Sequence, residues 1–170
     1  TTVTLAIDRN GEKLEKNIMT EAIVFKSVYS ENMNGIGYIQ ISSFDENTGS
    51  EFTEAYNKLR EENITGLIVD VRDNGGGIYD DAKILVPKGL IVYTEDKDGN
   101  KKADNSDGEG IDIPLVVLVN EESASASEIL AGAIKDRKCG TLVGKKTYGK
   151  GVVQGWYMIG DGTSIKITIA

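Results

Sequence analysis

Two short apolar runs, residues 67–71 and 114–119, constrain the fold of this chain more than any other feature. A strand with one face in water alternates apolar and polar side chains; these runs do not, which is the pattern of strands covered on both faces in a parallel sheet. Before the first run, residues 36–41 read as a strand with Tyr38 and Gln40 on the face opposite Ile39 and Ile41. Between the two, residues 48–62 place Phe52, Ala55, Tyr56 and Leu59 at helical spacing with charges between them, so a helix packs through one face. Strand, helix and buried strand form a βαβ crossover. After the second run, Ala126, Ile129, Leu130, Ala133 and Ile134 fall at i, i+3, i+4, i+7 and i+8, and Gly140 supplies the stop of a second helix. The fold class that follows is α/β, with a central, mostly parallel sheet.

The flanking segments read as β-rich. Residues 2–7 alternate as a strand, Asn10-Gly11 makes a hairpin turn, and EAIVFKSVYS at 21–30 is a second β-rich run. A helix is expected over 78–86, closed by Pro87 and Gly89, then a strand at 90–94. The Asp-rich stretch 95–110 places Asp96, Asp98 and Asn100 at alternate positions, like half of a calcium loop. Lys101 stands where such a loop needs glycine and no glutamate closes it, so a solvated loop joining two strands is the better reading. SIKITIA at the end is another strand.

Composition narrows the chemistry. The 170 residues suit one domain, with 19 Lys+Arg against 27 Asp+Glu giving a net charge of -8, which disfavours wrapping nucleic acid or adhering broadly to anionic membranes. No apolar run approaches the roughly 20 residues of a spanning helix. One cysteine, Cys139, allows no internal disulfide and reads as a structural thiol. The absence of histidine excludes Ser-His-Asp and Cys-His catalysis and the usual zinc sites. A nucleophilic serine here would need Lys, Asp or Glu as its base.

The stretch from Val119 to Gln154 carries the candidates. The second apolar run leads to Ser123, Ser125 and Ser127, separated by single alanines, at the start of a helix. Ser125-Ala-Ser-Glu128 is also a capping box, which helices use without any catalytic purpose, and Glu128 is better placed to cap than to act as a base. Position favours a further role: a serine at a helix N-terminus beyond a buried strand meets free amides and the positive end of the helix dipole. Lys150, flanked by Gly149 and Gly151 and followed by Val152 and Val153, is placed to lose hydration, which lowers a lysine pKa; taken alone it reads as a solvated loop residue. Gly75, Gly76 and Gly77 follow the first apolar run, where they serve either as a flexible turn or as an amide donor site; neither a phosphate loop nor a dinucleotide motif is present.

GYIQISSF, GLIVDVRDNGGG, SASASEILAGAIKD and LVGKKTYGKGVVQ, in this order over nearly the whole chain, resemble the carboxyl-terminal processing (tail-specific) serine peptidases of family S41. The resemblance implies a Clp-protease- or crotonase-like core with a central sheet flanked by helices. It further implies a remnant of a PDZ domain at residues 1–20 and a peptidase core at 21–170 that continues in the family past its last strand. It makes Ser125 the nucleophile, Lys150 the general base of a Ser-Lys dyad and Gln154 the residue that orients the lysine. The oxyanion hole falls on Ala126 and Gly76, with Gly77 as the alternative glycine. The implied activity is endoproteolysis near protein C-terminal tails through an acyl-enzyme, without metal or other cofactor. Protein or peptide tails are the implied partners, with homodimerisation compatible, an extracytoplasmic location, and membrane association only through segments outside this sequence. The chain departs from the family pattern at Gly75, where proline is usual, and at Glu122, where glycine is usual. Other readings are a non-catalytic ligand- or peptide-binding module of the same fold, as in retinoid-binding repeats, and an acyl-CoA enzyme of the crotonase type, which has no obvious need for the paired Ser and Lys.

Overall fold

The computed structural model describes the chain apart from residues 24, 79–82 and 84. In chain order it forms β1 (Thr2–Arg9), β2 (Glu12–Met19), β3 (Val28–Met33), β4 (Ile36–Ile41), α1 (Thr48–Glu61), β5 (Gly66–Asp70), β6 (Gly89–Glu95), β7 (Lys101–Ser106), β8 (Leu115–Val119), α2 (Ala126–Arg137), β9 (Thr141–Gly144), β10 (Gln154–Ile159) and β11 (Thr163–Thr168). The main sheet has the order β3-β4-β5-β8-β9. Strands β4, β5, β8 and β9 are parallel, and β3 joins β4 antiparallel.

Each parallel step along the chain moves to the next position in the same direction across the sheet. Right-handed crossovers then lay their connections on one face. On that face Ile39, Ile41, Leu67, Val69, Leu115 and Val117 are buried against Phe52 and Leu59 of α1 and Leu130 and Ile134 of α2. The register Ile39↔Val69↔Val117 puts these three strands' apolar residues on the same side. The other face carries Tyr38, Ile68, Val116 and Leu118, all half-buried, with Tyr29 and Val143 exposed at the sheet's margins. The apolar runs expected to be covered on both faces are therefore covered on one by the described residues, because α1 and α2 lie on the same side.

The hairpin turn read at Asn10-Gly11 is present: it sends the chain straight back, pairing Arg9 with Glu12 and Thr2 with Met19. Of the β-rich run at 21–30 only the end enters β3. Two further expectations are corrected. The stretch 95–110 is not loop throughout, since Lys101–Ser106 forms β7 against β6 and only the tip is a turn. That turn is closed by Asp96, whose carboxylate accepts N–H groups of Asp98 and Asn100, the latter from both backbone and side chain. Finally, α2 stops at a left-handed Lys138, two residues before Gly140. The helix expected over 78–86 falls largely on residues outside the described ones.

Candidate functional site

The site forms where β5 and β8 end side by side. Past β8, Asn120 accepts the backbone N–H of Asp73 at 3.0 Å and donates through Nδ2 to the Asp73 carboxylate at 2.7 Å, tying the two strand ends together. The three serines then divide their work. The Ser123 hydroxyl donates to the Val71 carbonyl at 2.7 Å, and the Ser127 hydroxyl donates to the Asn74 carbonyl at 3.0 Å; both residues are fully buried. Buried hydroxyls that close buried carbonyls are structural. The Ser125 hydroxyl donates to no acceptor among the described residues, and Ser125 is partly exposed. Alternating serine with alanine thus locks two hydroxyls into the fold and leaves the middle one available.

Ser125 also holds an unusual backbone conformation. Its φ of 56° and ψ of -113° are sparsely populated for a residue with a Cβ, a strain of about 1–3 kcal/mol. A sharp strand-to-helix turn of this kind is one way a fold presents a serine Oγ outward. The capping box read from the sequence is present: the Ser125 N–H donates to the Glu128 carboxylate at 3.0 Å.

The glycine loop packs directly on this turn. Phe44 donates its N–H to the Gly76 carbonyl at 3.1 Å and accepts from Ile78 at 2.7 Å, forming a parallel bridge at Gly77. A Cβ on Gly77 would lie 2.0 Å from the Phe44 carbonyl oxygen, so only glycine fits. Gly76, at φ +97°, lies close against the serine, since a Cβ there would lie 2.7 Å from Ser125 Cβ and 2.9 Å from the Ala126 nitrogen. Gly76, Ser125 and Ala126 therefore converge. The Ala126 N–H has no acceptor among the described residues, whereas the Gly76 N–H donates to Asn74 Oδ1 at 2.8 Å.

Lys150 reaches the site through its backbone. The segment after β9 is hooked over the serine turn by Lys145 N–H to the Val119 carbonyl at 3.1 Å and Tyr148 N–H to the Ser123 carbonyl at 3.0 Å. Gly149 and Lys150 then donate their N–H groups to Glu128 at 2.6 and 2.9 Å. One oxygen of Glu128, Oε2, accepts from both Ser125 and Lys150. Burial alone would raise the Glu128 carboxyl, but the amides of Gly149, Lys150 and Ser125 and the side chain of Thr147 outweigh it and hold the group below its ordinary value. The half-buried Lys150 makes no side-chain hydrogen bond or ion pair with the described residues. Gln154 opens β10 opposite Thr168, is exposed, and has no hydrogen bond to Lys150.

Two residues that organise this region are missed by motif reading. Asn74 is fully buried between the glycine loop, β4 and the serine turn. Asp70, at the end of β5, is buried and accepts from Arg72 Nη2 at 2.6 Å and from Tyr38 Oη at 2.8 Å. Burial would raise the Asp70 carboxyl, but these donors outweigh it and keep it below the ordinary carboxylate range. A charge inside an otherwise apolar run was the available signal. Among the described residues no group of three or more His, Cys, Asp or Glu is placed to hold a metal ion.

Residues 35–170 match peptidase family S41. The chain is 44% identical, over 79% of its length, to a carboxyl-terminal-processing protease of Synechocystis, covering 33% of that protein. It is 38% identical along its whole length to the carboxy-terminal processing protease CtpA of Bacillus subtilis, covering 38% of it. Among solved structures, the photosystem II D1 C-terminal processing protease superposes with a TM-score of 0.74 at 28% identity, over 99% of this chain and 50% of that one. The chain thus spans about a third of the length of the curated relatives it matches. With the family match running from β4 to the last residue, across the serine turn, the glycine loop and the Lys150 segment, the chain belongs to peptidase family S41.

Proposed function

We propose that this chain carries the reaction centre of a serine endopeptidase that cuts proteins near their C-terminal tails. The observation that carries this reading is the shared anchoring of Ser125 and Lys150: one carboxylate oxygen of Glu128 accepts the N–H of both, so the serine turn and the lysine segment cannot move independently. In this reading Ser125 Oγ attacks the scissile carbonyl carbon and gives its proton to the amine of Lys150, and the carbonyl π pair moves onto oxygen. The amides of Ala126 and Gly76 receive that oxyanion. Lysine rather than histidine acts as general base, a role worth about 10²- to 10⁴-fold, and one oxyanion donor adds about 10²- to 10³-fold. Gln154 reaches the lysine amine once the segment around 151–154 closes over substrate, a contact expected to tighten only in the loaded site.

The names of the relatives support protein tails as the substrate class, with an extended chain lying beside the glycine loop. The sheet with its layer of helices corresponds, in this reading, to the Clp-protease- or crotonase-like core, and the β1–β2 hairpin to the edge of a PDZ module. An extracytoplasmic site of action belongs to the same proposal.

A fluorophosphonate probe tests the centre directly. Ser125 is expected to be the labelled residue by peptide mass spectrometry, with labelling lost in Ser125→Ala and slowed at least about 100-fold in Lys150→Ala. Labelling at another serine, or hydrolysis of peptides with unstructured apolar tails that survives Ser125→Ala, overturns the reading.

A further inference from the structure

Asn74 is a buried polar side chain beside the reacting groups to which the mechanism above gives no task. It is fully buried, and each of its polar atoms has a partner. Its Nδ2 donates to the Ile41 carbonyl at 2.8 Å, where β4 ends. Its Oδ1 accepts the Gly76 N–H at 2.8 Å. Its main-chain carbonyl accepts both the Ala124 N–H at 3.0 Å and the Ser127 hydroxyl at 3.0 Å. Three segments, the end of β4, the glycine loop and the serine turn, therefore meet on one residue.

The contact to Gly76 is the informative one. The half-buried Gly76 N–H beside Ser125 needs an acceptor before substrate arrives, since an orphaned donor taken out of water costs about 1–3 kcal/mol. Asn74 Oδ1 supplies that acceptor. It also competes with whatever enters the site. A neutral substrate carbonyl offers the Gly76 N–H nothing better than a neutral amide oxygen, so it does not displace Asn74. An oxyanion forms a charge-assisted bond roughly twice as strong and does. Exchange of acceptors at Gly76 is thus favourable only as charge develops, so the carboxamide keeps this amide in one orientation through substrate binding and releases it in the transition state.

We propose that Asn74 is a positioning residue whose carboxamide holds the Gly76 N–H at rest and yields it to the oxyanion, while its main-chain carbonyl fixes the serine turn against the glycine loop. The proposal rests on Ser125 being the nucleophile.

Amide NMR of the wild-type chain tests the exchange without any substitution. When a peptide aldehyde adds to Ser125, the Gly76 N–H resonance is expected to shift as its acceptor changes from carboxamide to oxyanion; a Gly76 signal unmoved while Ser125 is fully adducted overturns the proposal. Substitution provides the second measurement. Asn74→Ala leaves nothing to hold the direction of the Gly76 N–H and is expected to lower kcat on a peptide substrate about 100-fold with KM changed less than about threefold, and to weaken the peptide aldehyde far more than the corresponding peptide alcohol, which forms no oxyanion. Asn74→Asp is expected to recover rate relative to wild type as pH falls, because a protonated carboxyl can again donate to Ile41 and accept from Gly76. Equal weakening of aldehyde and alcohol, or a loss confined to KM, marks a merely structural asparagine and overturns the proposal. A wild-type chain that neither labels nor hydrolyses overturns the nucleophile assignment itself, and this inference with it.

Discussion

The Glu128 carboxylate faces the backbone N–H groups of Ser125, Gly149 and Lys150, so a helix cap and a loop anchor share one side chain. A glutamine there offers one acceptor oxygen and turns an NH₂ group toward other donors. Hydrogen bonds to a charged group are worth about 1.5–3 kcal/mol each, partly recovered by relaxation of the loop. Glu128→Gln is expected to cost about 2 kcal/mol in denaturant unfolding at neutral pH and to slow labelling of Ser125 about tenfold, since the Lys150 segment loses its tether. The sign with pH follows from the depressed carboxyl. Its contribution is present above the ordinary glutamate value of 4.5 and is lost as pH falls through the lower folded value, where the protonated wild type comes to resemble the amide. The stability gap between wild type and Glu128→Gln is therefore expected to close on acidification. A gap as wide well below that value as at neutrality would show that the charge is not what Glu128 contributes.

At the scale of elements, adjacent glycines do unlike work. Gly76→Ala forces a Cβ against Ser125 and Ala124 and requires φ +97° of a residue that avoids it. Strain and overpacking together are expected to cost about 2–5 kcal/mol and to displace the serine turn. Gly75 has open space where a Cβ would stand, and its φ is not in the left-handed region. Gly75→Ala is expected to be stabilising by about 0.4–1 kcal/mol, through lost freedom in the unfolded chain, with Ser125 labelling unchanged. Parallel denaturation curves of the two variants check both signs. The contrast also marks what a sequence can convey. The order of strands and helices was legible because apolar period and crossover handedness act locally and in one direction; residues 48–62 and 126–137 were recognisable from the spacing of Phe52, Leu59, Leu130 and Ile134 alone. The convergence of Gly76, Ser125 and Ala126 was legible only through four motifs in a known order. What Asn74 does for Ile41 and Ser127, and the tether that Glu128 gives Gly149 and Lys150 beyond the cap read from the sequence, were not, because these contacts join residues distant in sequence, and a backbone group leaves no trace in residue identity.

For the molecule as a whole, the main sheet, packed on one face by the described residues, sets a surface problem that charge must manage. Parallel sheets are ordinarily covered on both faces, yet here the face opposite α1 and α2 leaves Tyr29 57% and Val143 49% exposed beside half-buried Ile68, Val116 and Leu118. A patch of this kind attracts other apolar surface, its own copies included. The formal charge of -8 at pH 7 opposes that by mutual repulsion, and it vanishes near the isoelectric pH of about 4.7. Association followed by light scattering is therefore expected to rise steeply as pH approaches that value from above, and to rise at neutral pH when salt shortens the reach of the repulsion to a few ångströms. Unfolding does not explain such a rise if far-ultraviolet circular dichroism is unchanged across it. Val143→Lys places a charge on the patch at an exposed position of β9 and is expected to suppress association at neutral pH in high salt while leaving the unfolding midpoint within experimental scatter. Scattering unaffected by Val143→Lys, or association that salt weakens instead of strengthens, would locate the attraction in charged groups and not in the uncovered face of the sheet.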